Sequence, residues 1–102
     1  MRIIKEAFLV EAAEKYPKAA GYLKCWRATV RAADWTGLLD VRKTYPSTDG
    51  VKVKSGRQVF VFNVCGNDFR LVVAIHFDRQ AAYLLRFMTH AEYSKEKWKD
   101  TL

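Results

Sequence analysis

The sequence contains only two cysteines, Cys25 and Cys65, and only two histidines, His76 and His90. Two cysteines cannot build a disulfide scaffold or a four-ligand zinc site, so both are expected as free buried thiols in a reducing cytoplasm. No apolar run approaches the ~18 residues that a spanning helix needs, so no membrane partner is expected. Residues 1–8 carry Arg2, Lys5 and Glu6 and no small-residue cleavage site, so a secretory signal is not expected there. There is no phosphate-binding loop, dinucleotide fingerprint, H-E-x-x-H pattern, calcium loop or G-x-S-x-G elbow. No close acidic cluster could hold a magnesium ion. Neither metal nor cofactor is therefore expected, and any catalysis must draw on His, Tyr, Lys and Arg.

What the chain does have is positive charge on a foldable domain. Half of its 102 residues are hydrophobic and 28% are charged, which excludes a disordered tail. Eighteen Lys+Arg against eleven Asp+Glu give a net charge of +7. Residues 1–50 and 51–102 share the excess almost evenly (+3 and +4), so it belongs to the folded body and not to a detachable arm. Such a field favours a polyanionic partner, and nucleic acid is the commonest.

Residues 2–4 are a candidate edge strand. Residues 5–16 are rich in helix formers and end at Pro17. Over residues 18–33, Tyr22, Leu23, Trp26 and Val30 recur at helical spacing, with a parallel stripe of Lys24, Arg27 and Arg31. Residues 38–45 suit a short helical turn, and residues 46–50 a polar loop. The pattern then changes period. Residues 57–64, 69–78 and 81–88 read as three strands with short connections, an antiparallel meander. In the second of these, Phe69, Leu71, Val73, Ile75 and Phe77 take one face and Arg70, Val72, Ala74 and His76 the other. The i+2 spacing of His76 and Asp78 would let that pair hydrogen-bond. Thr89-His90-Ala91-Glu92 is a capping-box pattern, predicting a C-terminal helix that carries Tyr93 and Trp98 with Lys95, Lys97 and Lys99. The expected fold is α+β in one domain over residues 1–102. Two N-terminal helices pack on one face of a small antiparallel sheet of three main strands, and a short helix follows.

The available residue types suit cleavage of RNA by its own 2′-hydroxyl. That step needs a base, an acid and cations for the developing charge on phosphorus. Histidine is the side chain that titrates near neutrality, which makes His90 a candidate acid or base. Tyr93, three residues on, projects from the same side of a helix. Arg70 and Arg86 lie on neighbouring predicted strands and offer forked contacts to phosphate oxygens. Strand parity sets a condition on them. An even connection between the two strands sends the two guanidinium groups to opposite faces; an odd connection or a bulge brings them together. Lys24, Arg27, Arg31, Lys52, Lys54, Arg57 and Lys95 are candidate contacts to RNA backbone.

Two blocks carry a family resemblance: residues 57–73 (RQVFVFNVCGNDFRLVV) and residues 86–93 (RFMTHAEY), with Ala33-Asp34-Trp35 before them. Together they resemble the HigB-type toxins of bacterial toxin–antitoxin modules, within the broad RelE-like group of mRNA interferases. The resemblance implies a cytoplasmic toxin that cuts mRNA, often on the translating ribosome. It also implies silencing by a helix-turn-helix antitoxin of the HigA type, which alone contacts operator DNA. Carried over by position, the matching polar residues are Asn63, Asn67, Arg70, Arg86, His90 and Tyr93. Two positions depart: Met88 stands where a glycine often precedes the Thr-His pair, and Asp68 where a basic residue is frequent. The residues themselves leave three classes open: endoribonuclease, non-catalytic RNA- or ribosome-binding module, and protein-interaction domain.

Overall fold

In the computed structural model, which describes residues 1–102, a short strand β1 (Arg2–Ile4) leads into helix α1 (Ala7–Lys15). Pro17 forces Tyr16 out of the helical region and starts a single 3₁₀ turn, from which α2 (Ala20–Ala32) continues. Next come α3 (Leu38–Thr44) and the strands β2 (Asp49–Lys52), β3 (Gln58–Val64), β4 (Phe69–His76) and β5 (Ala81–Thr89). The chain ends in α4 (His90–Ser94) and a 3₁₀ turn over Lys97–Thr101.

The α+β class is as expected, but the sheet is larger and mixed. Its five strands run in the order β1-β5-β4-β3-β2. The expected meander is present as β3–β4–β5, and β1 joins it as an edge strand running parallel to β5. β2 occupies part of the stretch that composition marked as a loop. It pairs Asp49 to Lys52 against Val61 to Gln58 through the backbone, and an outer strand needs few apolar side chains for that.

Both faces of the sheet are covered. On one, Leu9 and Ala12 of α1, Leu23, Trp26 and Val30 of α2, and Val41 of α3 pack on Phe60, Phe62, Val64, Phe69, Leu71, Val73, Ala82 and Leu84. Trp26 meets Phe62 edge-on at 5.4 Å between ring centroids. On the other face, Val53, Val59, Val61, Val72 and Met88 form a smaller cluster capped by Trp98.

That second cluster explains a departure at the C-terminus. The capping box forms: the Glu92 N–H donates to Thr89 Oγ1, and the Thr89 N–H donates to Glu92 Oε1, both at 3.2 Å. The helix nevertheless stops after Ser94, with Glu96 in the left-handed region (φ 59°). Breaking the helix lets Trp98 turn into the sheet, where its indole N–H donates to the Tyr93 carbonyl at 3.1 Å. Burying that large ring outweighs the modest local cost of a non-glycine residue at positive φ.

Three smaller expectations are corrected. Cys25 is free but exposed, because it falls on the outer side of α2 beside the buried Trp26. Cys65 is free but only half-buried, because it sits in the β3–β4 turn with its thiol 3.7 Å from the Lys18 carbonyl. His76 forms no hydrogen bond with Asp78, since β4 ends at His76 and strand alternation ends with it. Its ring lies 5.0 Å from that of Tyr83 instead.

Tyr22, half-buried in the helix layer 6.5 Å from Tyr45, has its phenol pushed up to about 12 by burial. The unfolded phenol ionises near 10. Below that pH both states are protonated and the group adds no pH dependence. Between pH 10 and 12 the unfolded state loses its proton first, so stability falls as pH rises. Tyr22→Phe is expected to reduce the decline of the urea midpoint across this window. An identical decline in the variant would show that the phenol is not protected by folding.

Candidate functional site

Arg70 and Arg86 come to share one face through one irregularity. The connection between β4 and β5 (residues 77–80) is even, which would send Arg70 and Arg86 to opposite faces. Between Val72 and Val73 the register shifts: Val73 pairs with Leu84, but Val72 pairs with Arg86. Leu85 is therefore an extra residue on β5. It packs toward the second cluster, Leu84 belongs to the helix side, and Arg86 follows Leu85 onto the second face. Two rows result, because directly opposed residues share a face. Asn63, Arg70 and Met88 make one; Asp49, Val61, Val72 and Arg86 make the other.

Arg70 is only 8% exposed, and no carboxylate lies within ion-pair distance of it. Its guanidinium donates to the Phe69 carbonyl at 3.0 Å and to Asn67 Oδ1 at 3.2 Å, which fixes its plane. Two bonds leave part of a five-donor fork unused. The guanidinium carbon is 5.5 Å from the centroid of the Tyr93 ring. Trp98 stacks on that ring at 5.3 Å and 20°. Burial, followed by the Asp49 carboxylate, raises the Tyr93 phenol above its ordinary value despite the opposing pull of Lys99 and Arg70. A tyrosine so placed holds its proton more tightly than a free phenol.

Arg86 is half-buried and likewise without a carboxylate partner. It donates to the Leu85 carbonyl at 2.7 Å and to Thr101 Oγ1 at 3.2 Å. His90 is the first residue of α4, and its backbone N–H is held by the Asp68 carbonyl at 3.0 Å. Its imidazole is exposed and makes no side-chain hydrogen bond. The Asp68 carboxylate turns away to an ion pair with Lys18. Met88 is buried opposite Arg70. Lys95 follows α4 and, with Arg86, Met88 and Trp98, lines an open cleft.

The other cations are dispersed. Lys24, Arg27 and Arg31 sit on α2, which covers the opposite face of the sheet, and Arg27 and Arg31 pair with Glu6 at 3.2 and 3.7 Å. Lys52 shares the face of Gly50 and Phe60, the helix side. Lys54 and Arg57 lie in the β2–β3 connection, and the Lys54 N–H donates to the Lys99 carbonyl at 3.2 Å. The continuous grip suggested by listing these cations along the chain is thus divided between two sides of the molecule.

Sequence reasoning missed Asp49, Trp98 and Thr101 as neighbours of this site. Trp98 was visible only as a helix residue, and nothing near Thr101 signals a contact with a strand 15 residues earlier. No group of three or more His, Cys, Asp or Glu residues is arranged to hold a metal ion. No helix is long and apolar enough to cross a membrane.

Comparison with known proteins identifies the family. A family model described as HigB_toxin, a RelE-like toxic component of a toxin–antitoxin system, matches residues 19–96. The mRNA interferase toxin HigB of Escherichia coli K12 is 33% identical over 93 residues, covering 91% of this chain and 88% of the relative. The mRNA interferase HigB of Shigella flexneri matches to the same extent. That of Escherichia coli O6:H1 is 30% identical over 95 residues, covering 93% and 90%. The chain belongs to the HigB family of RelE-like toxins from toxin–antitoxin systems.

Proposed function

We propose that this protein is an mRNA interferase: a metal-independent endoribonuclease that cuts mRNA on the translating ribosome and is silenced by a cognate antitoxin. The observation that carries the proposal is the pair Arg70 and Arg86, brought to one face and left without carboxylate partners, with Arg70 beside Tyr93. Holding a buried guanidinium without a counter-ion is costly, so it calls for an anion that arrives from outside. A scissile phosphate supplies one, and positively charged Lys95 lies nearby on the cleft wall.

In the proposed reaction His90 takes the proton of the ribose 2′-hydroxyl. The 2′-oxygen then forms a bond to phosphorus. Arg70 and Arg86 stabilise the charge that develops on the equatorial oxygens. The bond from phosphorus to the 5′-oxygen breaks, and Tyr93 delivers its proton to that oxygen, leaving a 2′,3′-cyclic phosphate and a free 5′-hydroxyl. Asn67 positions Arg70, and Asn63, next to Arg70 on β3, is placed to meet the RNA. The ribosome supplies part of the substrate's orientation. The antitoxin is of the helix-turn-helix HigA type, and operator DNA is reached only through it. The setting is the cytoplasm, where ribosomes are.

Primer extension on cellular mRNA after induction should show new 5′ ends. His90→Ala and Tyr93→Phe should each lower the cleavage rate by about 10²–10⁴-fold, the usual worth of a proton-transfer group, while RNA binding stays within twofold. Tyr93→Phe keeps the ring on Trp98, so its loss would report the hydroxyl alone. If the wild type never cuts RNA, with or without ribosomes, the protein is a binding module and the catalytic assignment fails. Affinity for RNA should fall steeply between ~50 and ~200 mM salt, as phosphate contacts release counter-ions. A flat response would point instead to a protein-interaction domain.

A further inference from the structure

The turn between β3 and β4 (residues 65–68) makes two contacts that reach the candidate site. Asn67 Oδ1 accepts from the Arg70 guanidinium at 3.2 Å, and the Asp68 carbonyl accepts from the His90 N–H at 3.0 Å. Little inside the turn holds it in place. Gly66, Asn67 and Asp68 are exposed, and Cys65 and Gly66 both take positive φ (53° and 68°). The backbone hydrogen bond across the turn, from the Asp68 N–H to the Cys65 carbonyl, is long at 3.3 Å. Its support comes from the other layer, at the 3₁₀ turn Pro17–Ala19 that joins α1 to α2. Tyr16 packs on Phe69 with ring centroids 5.0 Å apart, and the Lys18 carbonyl lies 3.7 Å from the Cys65 thiol. The Lys18 ammonium donates to Asp68 Oδ2 in an ion pair.

We propose that Lys18 is a positioning residue for RNA cleavage: by anchoring Asp68 it holds the β3–β4 turn, and through the turn Arg70 and His90, in their working places. The assignment rests on the endoribonuclease reading, which gives those two residues their roles. The Lys18 ammonium is spent on Asp68, so it acts through the turn and not on the substrate. Pairing has a second effect. Asp68 lies two residues from Arg70, and a carboxylate free to swing there would compete with a phosphate for the guanidinium. Lys18 draws that carboxylate toward the helix layer. Exposed ion pairs add little to overall stability, but small displacements of reacting groups are costly in rate. The pair is therefore expected to matter more to turnover than to folding.

The test uses the full-length protein and mRNA on programmed ribosomes, with cleavage followed from limiting to saturating substrate. Lys18→Met should lower kcat about fivefold, the upper worth of an exposed pair, and leave KM within about twofold. Lys18→Arg, which keeps the pair, should retain most of the rate. Asp68→Ala keeps the backbone carbonyl that holds His90 but removes the anchor, so it should match Lys18→Met. The double variant should be no worse than either single one, because each removes the same interaction. Hydrogen exchange of the His90 amide should quicken about fivefold in Lys18→Met, with the urea midpoint scarcely moved. Lys43→Met, which breaks the exposed pair with Asp40 on α3, should change none of these readouts. A raised KM with unchanged kcat and a shallower salt dependence would make Lys18 a phosphate contact and overturn the proposal. Unchanged kcat and unchanged His90 exchange would overturn it as well. If the wild type never cuts RNA, the enzyme reading fails, while the His90 amide still decides whether Lys18 holds the turn.

Discussion

Alternation along a β-strand sends neighbouring side chains to opposite faces, and at Leu85 and Arg86 that alternation fails. One extra residue in β5 lets Leu85 and Arg86 point the same way, and every pairing beyond it shifts by one. Without the bulge, Arg86 would fall among the aromatic side chains under the helices, where a guanidinium has no partner. With it, Arg86 joins the row of Val72, Val61 and Asp49, next to the row that holds Arg70. The sharing of one face by Arg70 and Arg86 depends on that single insertion.

The same face must also be kept from being a plain hydrophobic surface. Val59, Val61, Val72 and Met88 are apolar and would be open to water beneath the sheet if the chain ended at α4. The C-terminal segment covers them with Trp98 and in doing so fixes the site. Trp98 braces Tyr93, Thr101 holds one nitrogen of Arg86, and the Lys99 carbonyl ties the segment to the β2–β3 connection. Packing and the placement of Tyr93 and Arg86 are therefore coupled on this side of the sheet. On the other side the helices pack over the larger core.

Charge follows the same division. The α2 arginines are neutralised in part by Glu6, and Lys18 by Asp68, at solvent-exposed pairs of small energetic worth. Arg70 and Arg86 have no such partner and lie where water is partly excluded, so any anion that reached them would be attracted more strongly than by a solvated lysine. A net charge of +7 thus resolves into a diffuse positive field and a pair of cations, Arg70 and Arg86, that have no carboxylate partner.

The sequence by itself determined the N-terminal helices, the β3–β4–β5 meander and the start of α4. The stripe of Leu23, Trp26 and Val30, the alternation from Phe69 to His76, and the Thr89–Glu92 capping box all rest on interactions within a few residues, and each is legible as spacing. It also raised parity as the question on which Arg70 and Arg86 turn. Only the tertiary structure answered it, because a bulge is decided by how two strands compete for register, and nothing local to Leu85 marks it. Pairing of β2 through its backbone, the break at Glu96 that frees Trp98, and the contact of Thr101 with Arg86 were hidden for the same reason. Each exchanges a local preference for a partner far along the chain, and the gain exists only once the sheet is assembled.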